Sequence, residues 1–268
     1  KSSDTHIEIY YFIPCRKTYN TIAKDEKYLT AATCIYNFLP KVTGPDGRMP
    51  FTVTADGREI QKRRYYFSET FAAIGCAEYY KATGNEQAFE KAEAYFDTAY
   101  KCYKGEIKNP PKFNGENHPF KGLSPVMIML ATAQVMQTMK AEVKDKYAKI
   151  AEAFLQEVRF GGFLTEKALL ENVDVNGKPV DSPTGRIVNP GHSMEAAWFV
   201  MAQGILMNNQ EVIECGRHII DITLPLGWDE KHGGIIAFTD VAGKPPVQLE
   251  GDMKLWRPQC ETMIAARL

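Results

Sequence analysis

The sequence has little net charge of either sign and no long apolar run, and each absence narrows what the protein does. Its 268 residues carry 32 Lys and Arg against 33 Asp and Glu, for a formal net charge of −1. That balance supplies no electrostatic footprint for nucleic acid or for an anionic membrane surface. A small, largely uncharged molecule is the expected partner. The longest apolar stretches, such as Pro125 to Ala133, fall well short of the ~18 residues a membrane span requires. No charged-then-apolar leader opens the chain, so a soluble, cytoplasmic protein is expected. Close cysteine pairs are missing as well: Cys15, Cys34, Cys76, Cys102, Cys215 and Cys260 stand singly. This pattern excludes a zinc knuckle or small disulfide scaffold and leaves buried free thiols.

What the chain has in quantity is helical periodicity. Apolar residues make up 44% of the composition, enough for a continuous core. Residues 26 to 40 place Tyr28, Leu29, Ala32, Ile35, Tyr36 and Leu39 on one stripe. Residues 66 to 82 and 86 to 103 then pair an Ala-rich apolar helix with an amphipathic one across a Thr83-Gly84-Asn85 turn. The pairs Leu123 to Met139 with Val143 to Val158, and 190 to 206 with 210 to 222, repeat the arrangement. Pairs in which one member is nearly all apolar imply an inner ring of helices shielded by an outer ring, an all-α toroid. Arg48 to Thr54, Ile187 to Val188 and Ile235 to Phe238 read as short strands, hairpin decorations on the loops. Gly161 to Asn189 is long for a plain connection and is expected to be a functional or lid-like loop. No linker composition divides residues 1 to 268, so a single domain is expected. The 13 Tyr, 14 Phe and 3 Trp exceed what helix packing needs; platforms for stacking on sugar rings are one use for the excess, and core filling is the other.

The segment Asn189-Pro190-Gly191-His192-Ser193-Met194-Glu195-Ala196-Ala197-Trp198-Phe199 concentrates the chemistry. Pro190 fits the first turn of a helix, which puts His192 in the opening turn with Glu195 on its face at i, i+3. A carboxylate there can fix an imidazole tautomer and raise its basicity, as proton abstraction requires. A helix-capping histidine beside a surface glutamate fits the same pattern. A di-iron site would need a second Glu/His pair, and none is present.

The string NPGHSMEAAWFVM resembles the signature of the N-acylglucosamine 2-epimerase family. RRYYFSETFAAIGCAEYYKATGN, LLENVDVNGKPVDSPTGRIVNPGH and DMKLWRPQCET resemble further family segments in family order, over about residues 19 to 264. The resemblance implies an (α/α)6 barrel. It also implies inversion at C2 of a sugar, N-acylglucosamine with N-acylmannosamine, through an enediolate formed by proton abstraction and reprotonation. Two acid/base groups are then needed and no metal or redox cofactor, with ATP as a conceivable allosteric activator and a homodimer as the assembly. It assigns His192 and Glu195 to catalysis. It assigns Glu69, Glu171, Asn172, Arg186, Asn189, Lys254, Trp256 and Glu261 to the sugar cavity, where Lys254 or Arg186 would stabilise enediolate charge and Trp256 would stack on the ring.

Departures from the family pattern are equally specific. Tyr10 stands where an arginine is expected, with Arg16 out of register ahead of Tyr19-Asn20, and Arg257 replaces a tryptophan. The family's second histidine lies in a His-Val-Pro-Arg-like segment that is not reached by Leu268. The resemblance therefore implies a barrel lacking the family's N-terminal helix and C-terminal helices, with sugar binding outlasting turnover. His118 and His232 are the candidates to replace the second base. Alternatives of the same chemistry are an aldose-ketose isomerase and a cellobiose-type 2-epimerase. A sugar-binding or interaction protein without turnover is the alternative of another class.

Overall fold

The computed structural model describes residues 26–61, 65–110 and 113–268. The positions Tyr10, Cys15, Arg16, Tyr19 and Asn20 lie outside them. The described residues form eight α-helices and three two-stranded antiparallel sheets, so the helical periodicities carry through. The chain gathers into two compact units. The first takes residues up to Asn114 together with Thr132–Lys149, and the second takes Gly115–Ala131 and Ile150–Leu268.

In the first unit, α1 (Glu26–Val42) buries Ala32, Tyr36, Leu39 and Val42, one stripe at spacings of three and four. The helix α2 (Phe67–Thr83) is buried on nearly every side and ends at Gly84 in the left-handed conformation. Its partner α3 (Glu86–Tyr103) starts at Asn85, whose side chain accepts from the Gln87 and Ala88 amides and so satisfies two donors that a helix start leaves open. Its buried face runs Ala88, Phe89, Ala92, Tyr95, Phe96 and Ala99. The later segment of this unit closes on that helix. Tyr147, fully buried, packs edge-on against Phe96 at 4.9 Å and donates its hydroxyl to Glu93 at 2.9 Å. Strands β1 (Thr52–Val53) and β2 (Glu59–Gln61) make the hairpin expected from Arg48 to Thr54, though only its tip pairs.

Helices α4 (Leu123–Met136) and α5 (Ala141–Phe160) contribute to both units. In the second unit, α6 (Pro190–Met207) packs along α7 (Gln210–Gly227) and against α8 (Trp256–Arg267). The strands β3 (Phe120–Gly122) and β4 (Asn172–Asp174) pair in register, as do β5 (Ile187–Val188) and β6 (Thr239–Asp240). The β3–β4 ladder and α8 were not expected. Lys121 and Asn172 belong to segments too short and too polar to show a period of two, whereas Trp256, Cys260, Met263 and Ile264, at i, i+4, i+7 and i+8, are the one sequence signal for α8.

Residues 161 to 189 are anchored along their length, unlike a lid. Leu164 bridges Leu169, the Asp174 amide donates to the Lys178 carbonyl, and Phe163, Leu169, Leu170 and Val173 are buried. Gly162, at φ +90, sits so close to Gly177 that a Cβ would overlap the Gly177 carbonyl. Only glycine meets both the conformation and the contact.

Candidate active site

The start of α6 is set by local chemistry. Asn189 is extended and its side chain accepts from the His192 amide at 3.0 Å, while Pro190 occupies the first helical position, where a missing N–H costs nothing. Gly191 lies where a Cβ would press on Pro258 of α8 at 2.9 Å, so glycine lets the two helices close on each other. His192 thereby reaches a cavity of about 140 Å³ lined by Asn189, Gly191, Ala237, Phe238, Leu255, Arg257 and Pro258. The Phe238 wall is tied to α8 through Gln259, which accepts from the Ile235 amide at 2.9 Å and donates to its carbonyl at 2.7 Å.

Glu171 is the partner of the imidazole. Its two oxygens lie 2.9 and 3.0 Å from His192 Nδ1. Its backbone is held on both sides, with its amide donating to the Ile187 carbonyl and its carbonyl accepting from Leu123. The carboxylate is therefore delivered by a fixed loop. Burial, the largest influence on the ring, disfavours its protonation. Glu171 by charge and hydrogen bond, and Glu195 by charge, favour it, Arg257 opposes it, and the balance lifts His192 above the ordinary histidine value. No hydrogen bond to Nε2 is found among the described residues, which leaves that nitrogen for a substrate proton.

The other assigned residues fall into distinct settings. Glu195 pairs with Arg257 at 2.5 Å, and Glu261 accepts from Trp198 Nε1 at 2.8 Å. Burial first, then the charge of Glu195, pushes the Glu261 carboxyl up, against the Trp198 bond, Arg257 and His192. Asn172 donates to the Thr184 carbonyl at 3.2 Å from within β4. Arg186 grips both oxygens of buried Asp240, at 3.0 and 3.2 Å, and reaches Asp181 at 2.5 Å. Lys254 is paired with Asp229, and Trp256 is 78% exposed. His118 packs at 4.9 Å on Phe120, and His232 is exposed.

Glu69 belongs to the first unit. It is fully buried and its Oε1 takes Arg48 Nε at 2.7 Å and the Met49 amide at 2.8 Å. Arg48, 3% exposed, also donates to Asn109 and, at 3.0 Å, to the Tyr65 carbonyl. The Glu69 Oε2 atom has no partner among the described residues. Sequence reasoning did not single out Arg48, Asp240, Asp229 or Trp198. Each holds an assigned residue from far along the chain, and no spacing reveals such a pairing.

Known proteins share both sequence and fold with this chain. A family model described as N-acylglucosamine 2-epimerase (GlcNAc 2-epimerase) matches residues 24–268. The N-acylglucosamine 2-epimerase of Rattus norvegicus is 33% identical over 235 residues, 84% of this chain and 54% of that protein. That of Homo sapiens is 33% identical over 84% of this chain and 53% of its own length. The chain thus spans about half the length of these curated relatives. Among solved structures, D-mannose isomerase superposes with a TM-score of 0.78 at 15% identity, covering 96% of this chain and 68% of that one. Cellobiose 2-epimerase from Bacillus thermoamylovorans B4167 superposes with a TM-score of 0.78 at 16% identity, over 98% and 71%. At such identities the likeness speaks to fold, the paired-helix (α/α)6 class. With the family model matching a span that holds all of the described residues, the chain belongs to the N-acylglucosamine 2-epimerase family.

Proposed function

We propose that the protein is a sugar 2-epimerase acting on the N-acylglucosamine and N-acylmannosamine pair. The observation that carries this reading is the Glu171 carboxylate on Nδ1 of a cavity-lining histidine. With the open-chain sugar in place, His192 Nε2 takes the C2 proton and the C–H electron pair passes to the C1 carbonyl, giving the enolate, which is an enediolate where C2 carries a hydroxyl. Glu171 fixes the tautomer that leaves Nε2 unprotonated and then stabilises the imidazolium. Return of a proton to the opposite face of C2 gives the epimer; on an aldose with a C2 hydroxyl, return to C1 gives the ketose. The chemistry moves protons only, so it needs neither metal nor redox cofactor. ATP as activator, a homodimer and a cytoplasmic setting belong to the same reading.

Incubation with N-acetylmannosamine in deuterated water tests it. Loss of the C2 proton signal together with appearance of N-acetylglucosamine is expected. No exchange with this or related aldoses would sink the reading, while exchange with ketose as product from mannose, a 2-hydroxy aldose, would replace epimerisation by isomerisation. Because the neutral imidazole is the base and its pKa is raised, the exchange rate should fall on the acid side with a midpoint above 6.5. Glu171→Gln removes the negative charge, so that midpoint should move to lower pH while the alkaline plateau also drops through loss of the tautomer anchor. An unchanged pH profile in this variant would exclude Glu171 as the partner of the base.

A further inference from the structure

We propose that Arg257 is a positioning residue for the His192 base, an inference that rests on the proton-transfer reading above. Its side chain forms part of the same cavity wall as His192. From α8 it pairs with Glu195 of α6 at 2.5 Å, and its Nε stands 3.9 Å from Glu261 on its own helix. Glu195 lies at i+3 from His192, close enough in a helix for the two side chains to meet.

Four charged groups bear on the imidazole. Glu171 comes from the loop leading into β4, Glu195 from α6, and Arg257 and Glu261 from α8. The segment ahead of β6 contributes Ala237 and Phe238, which carry no charge. Two carboxylates on the α6–α8 side, Glu195 and Glu261, would compete with Glu171 for the ring if nothing neutralised them. Arg257 sits between them and ties Glu195 to α8. The ring then has one carboxylate partner among the described residues, Glu171 on Nδ1. Capture of the ring by Glu195 would bring a second carboxylate to the imidazole, favour its protonated form and occupy the nitrogen meant for substrate.

Arg257 is also the position at which the sequence departs from the tryptophan its family resemblance predicts. Its side chain is 48% exposed, so its replacement should leave the fold intact.

The test reads His192 directly. Its ring-nitrogen resonances are titrated by NMR in the wild-type, Arg257→Gln and Arg257→Lys proteins without sugar, folding is checked by circular dichroism, and C2 exchange with N-acetylmannosamine is followed across pH. In Arg257→Gln the titration midpoint is expected to rise, because a nearby cation is lost and Glu195 is released. Exchange should drop on the acid side and recover toward the alkaline side. Arg257→Lys, which keeps the charge, should stay near wild type. An unchanged midpoint in a folded Arg257→Gln protein would overturn the inference. Absence of exchange in all three proteins would instead overturn the epimerase reading, and the sugar-free titration tells the two failures apart.

Discussion

Replacing His192 by Asn is expected to lower C2 proton exchange with N-acetylmannosamine by ~10²- to 10⁴-fold, the usual contribution of one positioned general base. Asn is a close match in size and polarity, and the helix start is secured by Asn189 and Pro190 rather than by the imidazole. The loss should therefore fall on turnover. Sugar affinity, read by isothermal titration, should change little, because no bond to the sugar's other hydroxyls is assigned to His192. The measurement is the decay of the C2 proton resonance in deuterated water at equal protein concentration. Retention of exchange within about tenfold of wild type would move the base elsewhere, with His118 and His232 next to be replaced.

The local half of this site was legible in the sequence. Pro190 placed His192 in the first turn of an apolar helix with Glu195 at i+3, and the structure has that turn, capped by Asn189. The partners that complete it were not. Glu171 was known as a residue of interest, yet its bond to Nδ1 spans 21 positions and depends on a loop held by Ile187 and Leu123. Glu195, expected to orient the imidazole, is instead taken by Arg257 from 62 positions away. Helix spacing reveals which side chains share a face, whereas it says nothing of what the next helix brings to that face. The fold was read well for the same reason. The boundaries of α2, α3 and α6 follow from apolar periodicity and caps, while β3 and β4 depend on pairing between distant segments.

Glu69→Ala should be among the most destabilising single changes, costing about 3–5 kcal/mol, because it strips a buried guanidinium of its counter-charge. Arg48 would remain 97% buried in its present position, with only the Asn109 side chain and the Tyr65 carbonyl as acceptors, and the Met49 amide would lose its own acceptor. Denaturant unfolding reads the effect as a fall in midpoint at constant slope. The double substitution Arg48→Met with Glu69→Leu provides the control. Replacing both partners by apolar side chains avoids the stranded charge, so the double variant should be more stable than Glu69→Ala alone. If the two variants unfold alike, burial of an unpaired charge is not the cause. Glu69 Oε2 has no hydrogen-bond partner among the described residues, so the pair's hydrogen bonds all fall on Oε1.

The division of the chain bears on the order in which it is synthesised. Residues up to Asn114 deliver most of the first unit, but Thr132–Lys149 follows only after Gly115–Ala131, which belongs to the second. At ~5–20 residues per second the ribosome needs on the order of a second to supply that interval, whereas a helix forms in microseconds or less. During the gap α3 is present without Tyr147, so Phe96 and the Glu93 carboxylate wait for the residue that covers one and bonds the other. A nascent chain ending near residue 114 and carried clear of the exit tunnel by a linker should therefore present an apolar strip on α3 to a chaperone. The same chain halted past residue 149 and clear of the exit tunnel should have withdrawn it.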